Sequence, residues 1–209
     1  MLKCEILKVF GFEPAIHGMR NPMNSWDKSD SHWEAQGKHY DDIQFVIGEK
    51  DLNLMKKLFQ GGTEHRKYLR MIQVYVDIEA PLYWWKEFDT YKIGTVANSC
   101  STMHKIHSKR FELSDFSCEY LDPPAKDILE YTIRYLNHFR NEYNETKDKQ
   151  LWWQMIQLLP SSYNQKRTVM LNYEVISTII RQRTGHKLDE WKQLIDVLGG
   201  VPYLKEIMG

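Results

Sequence analysis

The stretch from Leu159 to Trp191 constrains this chain most, because it is an apolar run with polar residues set into it at helical spacing. Val175, Ile176, Ile179 and Ile180 make a stripe that would anchor a helix in a core. Asn172 and Arg183 lie eleven residues apart. At roughly 3.6 residues per turn that is about three turns, so an amide and a guanidinium are expected off one helix face. An Arg in such a place can grip phosphate or carboxylate bidentately and is costly to bury unpaired, which points to an anionic partner. The competing reading is an Arg that caps the helix C-terminus ahead of Gly185.

A chain of 209 residues with 42% hydrophobic content can bury a real core, and one domain spanning 1–209 is expected. Lys plus Arg and Asp plus Glu both number 28, so the zero net charge argues against a bulk grip on nucleic acid or on an anionic membrane. Any nucleotide would have to be held locally. Cys4, Cys100 and Cys118 are scattered, and no signal-like or membrane-length apolar run is present. The expected location is therefore a reducing cytoplasm. Seven Trp and twelve Tyr are many for this length, and flat rings serve cores, subunit interfaces and planar ligands alike.

Along the chain, Leu2 to Val9 alternates as a strand does, and Gly11 and Pro14 end it. Ala15 to Ser31 is a polar loop around Arg20 and Trp26, either a surface excursion or a ligand clamp, since amides, hydroxyls and one Arg are what an oxyanion needs. Asp51 to Gln60 reads as a helix capped by Asp51 and stopped by Gly61-Gly62, with His65 in the following turn. Met71 to Glu79 is the clearest strand, with Ile72, Val74, Val76 and Ile78 on one face. Ala80-Pro81 then opens a helix that carries Leu82, Trp85 and Phe88 inward. After the Asp122-Pro123-Pro124 break, Leu129, Ile133, Leu136, Phe139 and Tyr143 mark a long amphipathic helix to about Asn144. Shorter helices are expected at Leu151 to Leu159 and Leu188 to Leu198. Cys100, His104 and His107 would share a face if their segment were helical, as zinc ligands must, but a fourth ligand is missing and no metal is expected. Cys100 beside His104 lacks the orienting third group of an activated nucleophile.

Leu159-Pro160, Asn172 and Arg183, at these intervals, resemble the C-terminal signature of the flavin-dependent thymidylate synthases, and His186 and Trp191 fall near that family's closing His and Trp. The order of strand, Ala80-Pro81, aromatic helix and polar turn is also similar to that family's. The resemblance implies an α+β fold, a mixed sheet flanked by helices, in a homotetramer with FAD at the subunit interfaces. It implies reductive methylation of dUMP to dTMP with NADPH and methylenetetrahydrofolate, without a protein nucleophile. Arg183 would be catalytic, stabilising charge on the pyrimidine, while Glu87 and Ser101 would touch the nucleotide. His65, Tyr91, Lys92, Asn172 and His186 would line the flavin.

The departures from that family's pattern fall on charge. Glu87 stands at the place of a Gln, Thr90-Tyr91-Lys92 replaces an Arg-His-Arg triplet, Met103 falls at the place of an arginine that grips the phosphate, and Ile156 at that of a second nucleotide-binding arginine. Each charge-assisted bond lost in this way is worth roughly 1.5 to 3 kcal/mol. Arg20, Lys92 or Lys105 would have to compensate, Arg20 from within the polar loop. Three readings follow: the synthase itself, a divergent relative acting on another pyrimidine nucleotide or with another cofactor, and a non-catalytic relative that binds nucleotide or protein.

Overall fold

The computed structural model describes residues 2–35 and 43–209. Its main sheet is built from β1 (Lys3–Phe10), β4 (Gln73–Pro81), β6 (Asn164–Asn172) and β5 (Val96–Ser99), side by side in that order. Two short strands, β2 (His32–Ala35) and β3 (Ile43–Val46), make a separate ribbon. The α+β class is as expected, but every pairing in both sheets is antiparallel, where the sequence suggests a mixed sheet. The reason lies at the end of β4. The chain leaves it at Pro81 and re-enters the sheet at Asn164, directly opposite, so β6 must run back along β4 to the pair Gln73 and Asn172.

Alternation builds the core as the β4 sequence demands. Val74, Val76, Ile78 and Ala80 of β4 and Val169 and Leu171 of β6 are fully buried on the inner face. On the outer face Asp77 accepts from Thr168 Oγ1 at 2.6 Å and pairs with Lys166 at 2.7 Å. Against the inner face pack α1 (Phe12–Arg20), α2 (Glu49–Gln60), a 3-10 helix (Thr63–Met71), α3 (Leu82–Phe88), α6 (Tyr173–Arg183), α7 (Asp189–Leu198) and α8 (Leu204–Met208). A second core lies between α4 (Pro123–Thr146), α5 (Lys149–Leu158) and the segment 106–116, filled by Phe111, Phe116, Leu136 and Met155.

Three expectations change here. Asn172 is not inside a helix: it closes β6 and caps α6, its Oδ1 accepting from Val175 N at 3.0 Å. The first part of the polar loop is helical, with Ala15, Ile16, Met19 and Arg20 buried along α1. The rest wraps an anion that the chain itself provides. Asp51, fully buried, accepts from Ser29 Oγ and Ser31 Oγ at 2.6 Å, from the amides of Asp30 and Ser31, and from Arg20 Nε at 2.7 Å. Burial works to raise the Asp51 pKa, and the bonds from Ser29, Ser31 and Arg20 outweigh it, holding the carboxyl below its ordinary range. Asp30 returns the arrangement, accepting from Lys50 N and Asp51 N at the start of α2. The cap of α2 is thus supplied from outside the helix, and Asp51 itself serves the loop.

Candidate functional site

The polar cluster sits where α3, the turn after it, α6 and the start of α7 meet. Its floor is aromatic. Trp84 packs at a tilt against Trp191 with centroids 4.9 Å apart, and Phe88 and Tyr91 flank Trp191 at 6.3 and 5.9 Å. Tyr83 of α3 donates its hydroxyl to Glu190 of α7, which ties the two helices together just beneath the cluster. Burial, then this bond, pushes the Tyr83 phenol well above its usual range, so it stays a donor.

On that floor Glu87 Oε2 accepts from Arg183 Nη1 at 3.2 Å and from Trp191 Nε1 at 3.0 Å, and lies 3.4 Å from His186 Nε2. Arg183 Nε donates to the Tyr91 hydroxyl at 3.0 Å, which itself donates to Gln182 Oε1 at 3.0 Å. The guanidinium lies over the Trp191 ring at 4.6 Å from its centroid. His186 is oriented by its own turn, Nδ1 accepting from Leu188 N at 3.1 Å. Among the described residues, Glu87 Oε1 and Arg183 Nη2 have no side-chain partner. One ion pair therefore keeps one unpaired acceptor and one unpaired donor.

Next to this cluster a groove of about 400 Å³ runs along α6, lined by Arg70, Tyr91, Lys92, Asn172, Glu174 and Thr178 among others. Asn172 Nδ2 donates to Gly94 O at 3.4 Å across it. Gly94 holds a left-handed φ of 77°, and a Cβ there would lie 2.5 Å from Asn172 Nδ2, so the turn needs glycine on both counts. Asn172 and Arg183, at opposite ends of α6, thus both reach the segment from Tyr91 to Gly94. The Oε2 of Glu174 is buried beside this groove and has no hydrogen-bond partner.

Of the expected site residues, Glu87, Tyr91, Lys92, Asn172, Arg183 and His186 come together here. Three do not join them through any contact among the described residues. Arg20 spends its guanidinium on Asp51, Ser25 O and Lys28 O. His65 is exposed beside Glu64, 3.9 Å away. Ser101 Oγ accepts from the amides of Met103 and His104 in its own turn. Sequence reasoning missed Arg70, Glu174 and Thr178 in the groove. Arg70 lies in the last turn of the 3-10 helix and Glu174 in the first turn of α6, so neither carries a motif, and only the packing of these two elements brings them together. The segment from Cys100 to His107 is not helical, and among the described residues no group of three or more His, Cys, Asp or Glu could hold a metal.

Neither a family model nor a curated protein matches the sequence. Solved structures do. The chain is similar to thymidylate synthase X (ThyX) from Helicobacter pylori in a crystal structure with FAD and dUMP, at a TM-score of 0.68 and 15% identity, covering 100% of this chain and 97% of that one. A second crystal structure, of the flavin-dependent thymidylate synthase ThyX from Helicobacter pylori complexed with FAD and dUMP, matches at a TM-score of 0.69 and 16% identity over 99% and 97%. The chain has the ThyX fold. At these identities the likeness carries the architecture. Among the described residues no helix is long and apolar enough to cross a membrane.

Proposed function

We propose that the chain is a divergent flavin-dependent thymidylate synthase-like protein of one domain, which holds a pyrimidine nucleotide at the Glu87–Arg183 pair and FAD along the Tyr91–Asn172 groove. The observation that carries this reading is the convergence of Glu87, Tyr91 and Arg183 on one aromatic floor, within a fold whose solved examples contain FAD and dUMP.

A uracil edge alternates ring N–H donors with carbonyl acceptors. The unpaired Glu87 Oε1 suits the N–H, and the unpaired Arg183 Nη2 suits a carbonyl, whose developing negative charge it would stabilise. Tyr91 and Trp191 fix the guanidinium in place, so little reorganisation is needed when charge develops. The groove fits part of a flavin. Arg70 and Lys92 are cations for a diphosphate, and the orphaned Glu174 Oε2 is an acceptor in need of a ring N–H or a ribityl hydroxyl. Bound flavin would supply the hydride, and a folate the one-carbon unit. At about 400 Å³ the groove is at the small end of ligand pockets, so a second copy is expected to cover the rest of the cofactor, in keeping with a homotetramer.

A second reading, binding without turnover, is favoured by one observation. Glu87 Oε2 is already bonded to Arg183 and Trp191, which neutralises the one guanidinium of the cluster. Met103, exposed, and Ile156, packed in the second core, supply no replacement charge for a phosphate. Two measurements separate the readings. Flavin retained through gel filtration supports the site, and complementation of a thymidine-requiring strain supports synthase activity. Retention without complementation favours the second reading, and neither result defeats both.

A further inference from the structure

A different concavity, sharing no lining residue with the groove at Asn172, lies between α4 and Arg110 of the segment 106–116. It measures about 480 Å³ and is lined by Arg110, Arg134, Asn137, His138, Arg140 and Asn141. Arg134, Asn137, His138 and Asn141 follow one another at helical spacing, so one face of α4 presents them together. Arg110 is brought to that face by a clamp. Asn137 Oδ1 accepts from Phe111 N, and its Nδ2 donates to Phe111 O, both at 2.9 Å.

Three guanidiniums converge here in a chain of zero net charge, and among the described residues none of the three pairs with a carboxylate. The neighbouring Glu142 is 3.3 Å from His138 instead. Arg134 lies over the Tyr131 ring, 5.2 Å from its centroid, a contact that leaves its fork of donors available. Arg140 donates through Nη1 to Asn141 Oδ1, while its Nε is buried with no partner at all. Crowded, uncompensated guanidiniums and an orphaned buried donor are the features an anion would satisfy.

We infer that the groove formed by Arg110, Arg134 and Arg140 binds a phosphorylated small molecule through its phosphate or diphosphate. A phosphate offers several acceptor oxygens to planar forks arriving from different directions, and a groove of this volume has room for more than one phosphoryl group. The positive zone continues along α4. His107, against Tyr143, is held below the ordinary histidine range first by burial and then by Lys147, Lys105 and Arg140. A concave, three-arginine site favours a compact anion over an extended strand. The inference is independent of the flavin reading, since it concerns other residues.

The test is titration calorimetry of the full chain with inorganic pyrophosphate and with orthophosphate, at low salt. Wild type is expected to bind pyrophosphate saturably, one per chain, and orthophosphate more weakly. Arg134→Ala and Arg110→Ala should each weaken pyrophosphate binding at least about tenfold, the loss expected for one charge-assisted contact. Arg134→Lys should recover only part of it, because an ammonium keeps the charge without the fork. Both arginines are exposed, and a thermal melt of each variant verifies folding. If Arg134→Ala fails that check, Arg110→Ala carries the test from a different segment. No heat with pyrophosphate, affinity unchanged in the folded variants, or binding confined to a single-stranded oligonucleotide would each overturn the inference.

Discussion

Replacing Asp51 by Asn is the sharpest perturbation of the fold, because it keeps the shape and changes only charge and donor pattern. One carboxylate oxygen takes the Arg20 guanidinium at 2.7 Å, and the other takes Ser29 Oγ, Ser31 Oγ and the amides of Asp30 and Ser31. An amide must aim its NH₂ at one of these two sets of donors, and either choice sets donor against donor. It also leaves Arg20, only 5% exposed, without its counter-ion. Removing one partner from a buried pair costs about 3 to 5 kcal/mol. For a chain of this length that is a fall of about 6 to 20 °C in melting temperature, at roughly 2 to 4 °C per kcal/mol. Urea unfolding followed by circular dichroism measures it. A loss below about 1 kcal/mol, the worth of an exposed pair, would refute the reading of Asp51 as the anion around which the polar loop is built. The pH dependence adds a second check. The folded pKa of Asp51 is lowered, so its contribution is complete above the unfolded carboxyl value of about 3.9 and is lost as pH falls through the folded value. The gap between wild type and Asp51→Asn should therefore narrow in that acid range and stay constant near neutrality.

Three further outcomes are expected. Gly94→Ala places a Cβ 2.5 Å from Asn172 Nδ2 at a left-handed φ, and should cost about 1 to 3 kcal/mol while weakening any ligand of the groove, read by thermal melting and by titration of FAD. Leu136→Ala, fully buried in the second core, should cost about 2 to 5 kcal/mol in urea unfolding without changing that titration. Glu87→Gln releases Arg183 from its carboxylate and should tighten dUMP binding by about three- to tenfold in calorimetry, as one partly exposed ion pair is worth roughly 1 kcal/mol.

Much of the scaffold was legible where one period dominates and a breaker ends it. The alternation of Val74, Val76 and Ile78 before Pro81, and the spacing of Leu129, Ile133 and Leu136 after Pro123-Pro124, are of this kind. The strand β6 was not, although it is central to the sheet. Val169, Met170 and Leu171 run into Tyr173, Val175 and Ile176 with no Gly or Pro between, so strand and helix fuse into one apolar stretch. The only local mark of the junction is Asn172, a residue suited to capping. Helix α1 was hidden for the opposite reason, since Pro14 and Gly18 lie inside it while Ala15, Ile16 and Met19 still find the core. Charge partners separated in sequence were out of reach: nothing in the polar loop names Asp51, 31 residues beyond Arg20. In the site, the pairing of Arg183 with Tyr91 and Glu87 follows positions that sequence reasoning named, while Arg70 and Glu174 become neighbours only once the 3-10 helix packs on α6.

The most direct measurement is a fluorescence titration of FAD with the full chain, run in parallel on Tyr91→Ala and Arg183→Ala. The account predicts saturable quenching with wild type, abolished or at least about tenfold weaker with Tyr91→Ala, whose ring and hydroxyl edge the groove and hold Arg183. Arg183→Ala should retain FAD and lose dUMP. Wild type that leaves flavin emission unchanged at every concentration, or quenching indifferent to Tyr91, would contradict it.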